Sequence, residues 1–395
     1  MKRVIFWTII LIVSTAVILS CSEDNITVIE PLNLCEDGIQ NGDEVGVDCG
    51  GSCSEPCPIE NSLEGVIVDR LVLSADIEYK LTGPLLIRDG AQLEIPAGTI
   101  IKAFSGKNAY IAVAQGGKIF VFGKADNPVI MTSDSENPAP GDWGGLVICG
   151  KAPTNRGEIV RSEIVDIFYG GNEVNDYSGF INFLRVEYTG EKFTESARFN
   201  GVSFYGVGSY TIVENVQSYE GSGDGFEFIG GTVDTKFLVT ANSGENSISI
   251  SEGWNGTGDS WYLKGASRAG IKISNNFSNE SAIPISTGNI SNVSIIGPVA
   301  TGGLHYTSGG GVFTFDDLYT SNIDLGINVD NGIEVLRIDE GDLNIVKIKF
   351  DNPITGFLET NYSGSNSSFY IEGNTLGAGN GATLPDWASN WTIGF

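Results

Sequence analysis

Residues 223–274 read GDGFEFIGGTVDTKFLVTANSGENSISISEGWNGTGDSWYLKGASRAGIKIS. Phe226 and Phe228, Ile248 and Ile250, and Ile271 and Ile273 form alternating apolar pairs, with first members 22 and 23 residues apart. Val293 and Ile295, then Phe313 and Phe315, continue the series, and Val216 to Leu238 repeats its interval alongside. Alternation turns both members of a pair to one side of a strand. A near-constant interval marks a chain wound in stacked turns, each pair meeting its counterpart one turn away. A sandwich also has short strands, but hairpins and crossovers of unequal length scatter their spacing. Asn215, Asn246 and Asn292, each beside a strand, are expected at corners, because asparagine tolerates left-handed backbone. The spacing predicts an all-β chain, a right-handed single-stranded parallel β-helix.

Leu93 and Ile95, followed by Ile119 and Val121, extend the pattern towards the N-terminus with a step of 26. The helix is expected over residues 67–395, with on the order of eleven or twelve coils and a length of about 55 Å. A solenoid needs its ends closed. The stretch before Leu81 is the candidate for one cap. The closing PDWASNWTIGF, with Trp387, Trp391 and Phe395, is the candidate for the other. Glycine supplies 53 of 395 residues, as tight corners require.

The N-terminus reads as an address. Lys2 and Arg3 precede an apolar run from Val4 to Leu19, a secretory signal over residues 1–20. Ile18-Leu19-Ser20-Cys21 resembles the bacterial lipobox, which implies acylation of Cys21 and anchoring in an outer membrane; the alternative is an ordinary cleaved signal with an incidental cysteine. Ser22, Glu23 and Asp24 resemble the acidic export signal of surface lipoproteins. A linker over 21–34 leads to a cysteine-rich module over 35–58. Export favours disulfides among Cys35, Cys49, Cys53 and Cys57, with three pairings open and a four-thiolate zinc site as the alternative. Asp37, Asn41, Asp43, Glu44 and Asp48 offer oxygen ligands for calcium, the one cofactor weighed. EF-hand spacing fails at Ile39, so solvated turn residues are the competing reading.

The formal net charge of −27 argues against nucleic acid as a partner. A single histidine, His305, leaves no pair for zinc and makes a Ser-His-Asp arrangement improbable.

LTGPLLIRDGAQLEIPAGTIIKA (81–103), GDWGGLVICGKAPTN (141–155), LRVEYTG (184–190) and VQSYEGSGDGFEFIGGTV (216–233) together resemble a family of exported β-helix lipoproteins, mostly from Bacteroidota, without an assigned function. The cysteine-rich run CEDGIQNGDEVGVDCGGSCSEPC (35–57) resembles an element of many exported bacterial surface proteins. The resemblance implies the fold and is silent on chemistry. Relatives carry an Asp-rich run after the GGTV strand, where this chain has Asn246, Ser247 and Ser249.

Candidate ligand-binding residues gather in one stretch. Trp254, Trp261 and Tyr262, beside Glu252 and Asp259, suit sugar rings: aromatic faces stack while carboxylates accept hydroxyls. Packing of the tryptophans inside a coil corner is the alternative. Asp224 belongs to the same ligand set, and Asp224, Glu227, Glu245, Glu252 and Asp259 are the densest acidic candidates for catalysis, but one coil on from Asp224 stands Asn246, so no carboxylate pair lines up. Glu227, opposite in phase to Phe226 and Phe228, is expected to face solvent. Trp143 and Cys149 are expected to be structural and buried. The expected role is non-catalytic surface binding or adhesion, with polysaccharide as a candidate partner. A polysaccharide lyase or glycoside hydrolase in the Asp224–Asp259 region, and a purely structural envelope component, are the alternatives.

Overall fold

The computed structural model describes residues 34–37, 39–44, 47–55, 57, 61–195 and 197–395. The signal peptide, Cys21 and nearly all of the linker lie outside the described residues. The chain divides into two compact units, Met1–Pro58 and Ile59–Phe395.

Two disulfides staple the first unit, Cys35–Cys53 and Cys49–Cys57, one of the three open pairings. Its acidic side chains are engaged within the turns. Asp37 Oδ1 accepts the Ile39 N–H and Asp37 Oδ2 the Asn41 amide, while Asp48 Oδ1 accepts the Asp37 N–H. Ser52 donates to Asp43 at 2.7 Å, and the Asn41 N–H to Glu44 at 3.0 Å. These Asx-type contacts hold a segment too small for an apolar core.

The second unit is a right-handed parallel β-helix whose turns lay strands into three ribbons. Gly179–Glu187 shows the division: its first half pairs with Lys118–Phe122 and its second with Val129–Ser133. The first ribbon holds Arg70–Val72, Gln92–Pro96, Lys118–Phe122 and the leading halves of the later long strands. The second holds Ile100–Ala103, Val129–Ser133 and the trailing halves. The third runs through Tyr110–Val113, Leu146–Cys149, Val202–Tyr205, Phe226–Ile229 and Ile248–Ser251 to Leu325–Val329. All of these pairings are parallel. A column of left-handed residues makes the corner between the first two ribbons: Phe183, Asn215, Phe237, Ser260, Asn292 and Asp317, with φ from 50° to 59°. Asn215 and Asn292 therefore occupy corners as expected. Asn246 also stands at a corner, the one before the third ribbon, but without left-handed backbone; it bridges layers there.

The pairs that revealed the repeat share the interior but not one ribbon. Phe226, Ile248 and Ile271 stack directly. The next layer, however, brings Leu304 rather than Val293 onto Ile271. Val293 lies on Trp261 in the second ribbon, and Phe313 belongs to the first. Every ribbon turns alternate apolar residues inward, so a series read by interval passes from one ribbon to another where the loop at 276–285 lengthens a coil. The core is one continuous apolar column, with a ring stack at its centre. Phe204 and Phe228 lie 5.2 Å apart, Phe228 and Trp261 6.2 Å, and Trp254 and Phe313 6.4 Å. Removing each such side chain from water contributes roughly 2–3 kcal/mol.

Two boundaries differ from expectation. The helix begins at Ser62, since Ser62–Ile67 pairs with Glu78–Ile87 as an extra layer. The closing segment does not cap the end. Residues 376–395 turn back along the outer side of the second ribbon, where the Ala378 N–H donates to Ser294 Oγ and Tyr262 donates to the Ala382 carbonyl. Farther along, Gln217 exchanges hydrogen bonds of 2.8 and 3.0 Å with Ile393. Trp387 packs on Phe237, Trp391 on Phe183 and Phe395 on Tyr262. The outward Val239, Tyr262, Ile296 and Tyr319 explain this: left bare, they form an apolar stripe.

Candidate functional site

The residues proposed as one ligand site are distributed around the cross-section. Trp254 and Trp261 have no exposed surface and belong to the interior stack, so neither offers a face to a sugar. Their corners explain it: each follows closely on a left-handed residue, Glu252 or Ser260, which resets the in–out alternation. Tyr262 lies beneath the returning C-terminal segment.

Asp224 is buried at a corner of the third ribbon. Its Oδ1 accepts the Asn246 N–H at 2.7 Å and the Asn246 amide at 2.9 Å, while its own N–H donates to Asn200. The Asn246 side-chain Oδ1 in turn accepts the Ala269 N–H. Asn200, Asp224 and Asn246 thus form a polar ladder across successive layers, and burial pushes the Asp224 carboxyl up to about 6. Glu227 does not stand free in solvent as expected. One of its oxygens accepts from Asn200 at 2.7 Å and Ser203 at 3.3 Å. Burial, then the charge of Asp224, pushes it up to about 8.

Glu252 anchors the long loop over the third ribbon: Tyr169 donates to it at 2.6 Å and Arg156 approaches at 3.1 Å. That loop helps bury Cys149, a free thiol whose pKa rises with burial. Trp143 is buried with its indole N–H on the Glu187 carbonyl. Both are structural, as expected. His305 meets Asp330 at 3.0 Å on the outer side of the third ribbon. Of the proposed ligand residues, Asp259 stands on the first ribbon, and there a different surface appears.

Among the described residues, no segment covers the first ribbon. Ile119 and Val121 face inward, so Phe120 and Phe122 face out. In the next layer Phe180 lies over Phe120 in register. Phe120 and Phe122 stack at 6.1 Å, Phe122 and Phe180 at 5.6 Å, and Tyr177 meets Phe120 edge-on at 6.2 Å. Phe122 remains 46% exposed and Tyr177 38%, with the Lys118 ammonium over the tyrosine ring. Ile212 and Tyr210 extend the apolar area on the adjoining layer.

Beyond them the outward rows turn polar. Glu214, Lys236, Asp259 and Ser291 succeed one another layer by layer, and Asp316 follows Ser291. Asp234 Oδ1 accepts both the N–H and the hydroxyl of Thr257 at 2.7 Å. Asp259 Oδ1 accepts from Ser260, Ser291 and Asn292. Each carboxylate is thereby oriented through one oxygen, and its second oxygen accepts no hydrogen bond among the described residues. An open depression of about 280 Å³ lies among Asp259, Asn289, Ser291, Thr314 and Asp316.

A family model described as a pectate-lyase-like β-helix domain matches residues 65–392. The chain belongs to this pectate-lyase-like β-helix family. The match takes in nearly the whole helical unit and leaves the cysteine-rich unit outside it. Among solved structures, the Dettilon tailspike protein is similar to the chain at 10% identity and a TM-score of 0.32. That alignment covers 74% of this chain and 61% of the tailspike chain. No curated protein matches the sequence.

Proposed function

We propose that the protein is an exported, lipid-anchored surface protein whose first ribbon binds glycan without cleaving it. One observation carries the reading: a four-ring platform in line with carboxylates oriented by the protein itself, on the ribbon that no described residue covers. Sugar rings stack on aromatic faces through their C–H sides, and their hydroxyls donate to carboxylate oxygens. Lipid anchoring rests on the basic, apolar and Leu-Ser-Cys order of residues 2–21. Retention on insoluble polysaccharides, with product release monitored in parallel, tests the reading. The expected result is retention without release, weakened about tenfold in Phe122→Ala/Phe180→Ala, as loss of about 1.4 kcal/mol of stacking implies. Retention unaffected by that double substitution sinks the assignment of the surface.

A second reading, cleavage of a polysaccharide on the third ribbon, is favoured by Glu227. A half-buried carboxyl with one oxygen fixed by Asn200 and Ser203, still protonated at neutral pH, has the attributes of a proton donor. Product release abolished in Glu227→Gln supports it and displaces the first. A protein that neither retains nor cleaves glycan is the structural envelope component.

A further inference from the structure

Resting on the binding reading, we infer that the first ribbon selects an uncharged polysaccharide lying along the helix axis, and rejects uronic-acid polymers.

The charge balance of the ribbon supplies the first argument. Glu94 is neutralised by Arg70, and Asp317 at the corner by Lys347. Glu214, Asp234, Asp259 and Asp316 make no ion pair among the described residues. Besides Arg70, the cations on the outward rows are Lys118, engaged with the Tyr177 ring, and Lys236, which stands between Glu214 and Asp259. A polyanion laid here brings its carboxylates against an excess of fixed carboxylates, and like charges face to face cost several kcal/mol. A neutral sugar meets the same groups as hydrogen-bond acceptors. The carboxylates favour hydroxyl donors specifically, because Asp234 and Asp259 already hold one oxygen each in protein hydrogen bonds and present the other.

Direction and length come from the register. The platform of Phe120, Phe122 and Phe180 occupies two adjacent layers. Asp234, Asp259 and Asp316 follow in later layers of the same two outward rows. From Phe122 to Asp316 the rows cross six layer intervals, about 29 Å at the spacing of neighbouring strands. A chain running across the ribbon meets either the rings or the oriented carboxylates, never both. A chain along the axis meets both, so affinity should climb with oligomer length until the span is filled. Among the described residues the rows run on past both ends, to Pro96 beside Phe122 and to Asn344 beside Thr314, which suits an internal stretch of a long polymer better than a chain end.

The test is calorimetric titration of the full chain with cello-, manno- and xylo-oligosaccharides from disaccharide to octasaccharide, and with oligogalacturonates of matched length, each with calcium and with chelator. A neutral series that gains at least tenfold from disaccharide to hexasaccharide, at constant affinity in high salt, is expected. Asp234→Asn/Asp259→Asn should weaken the hexasaccharide and leave the disaccharide nearly unchanged, while Phe122→Ala weakens both. The uncharged substitutions sit on exposed or half-exposed positions, and unchanged thermal unfolding certifies the variants. Tighter binding of oligogalacturonate, above all binding that needs calcium, overturns the neutral class while leaving glycan binding intact. Equal affinity for short and long neutral chains overturns the axial arrangement. Silence from every oligosaccharide removes the binding reading and this inference together.

Discussion

From Gly179 onward the first and second ribbons are two halves of the same long strands, yet they end differently. Inward they are alike: Ile290 and Phe315 line the core from the first, Val293 and Leu318 from the second. Outward they diverge. The second presents Val239, Tyr262, Ile296 and Tyr319, which the C-terminal segment covers. The first presents Glu214, Asp234, Asp259 and Asp316 beside a patch of rings, and no described residue covers it. Inward side chains make the helix; outward ones decide whether a face is closed by the chain or left for something else.

The strongest way to break the contrast is to strip the second ribbon. Deleting residues 376–395 should expose its apolar stripe and cost several kcal/mol, seen as self-association in size exclusion and a lower Tm. A soluble monomer of unchanged Tm would mean that the two faces do not differ as described. Trp261→Ala ranks next, at about 3–5 kcal/mol, because it opens a cavity in the interior stack. Its binding of glycan at a temperature where it remains folded should be unaltered, in contrast to the direct role once attached to that side chain.

The third ribbon sharpens the comparison through pH. Asp224 and Glu227 are raised to about 6 and about 8, above their usual values, so the folded chain holds more protons than the unfolded chain between about pH 4 and pH 8. Stability from these two groups therefore falls as pH rises through that window. Glu227→Gln should flatten the upper part of the decline in thermal unfolding measured from pH 5 to pH 9. A slope unchanged by the substitution would refute the buried, protonated carboxyl. The smallest effect belongs to Phe122→Ala, whose exposed ring should change stability by less than about 0.5 kcal/mol while binding drops.

What the sequence discloses follows the same division. Alternating inward pairs show strand, period and fold class without help, because burial repeats in every layer. The outward residues carry no such signal of what lies over them. Trp254 and Trp261 looked like a sugar platform since they sit among glycines and acids; only left-handed Glu252 and Ser260 turn them inward. Glycine marks many corners, but a left-handed serine or glutamate is invisible to composition. Phe120 and Phe122, by contrast, could have been found: once Ile119 and Val121 are inward, their neighbours must be outward. The polar ladder was half legible, since Asp224 and Asn246 fall one coil apart, but hydrogen bonding between them needed the register.

The contact between Gln217 and Ile393 joins residues 176 positions apart. Layers of the solenoid can settle one after another as the polypeptide emerges, each needing only its predecessor. The outer side of the second ribbon is closed only once residues 376–395 fold back on it, so a chain interrupted before them carries a greasy flank that these residues otherwise cover. Closing that flank is therefore a long-range step, made only after the layers beneath it exist.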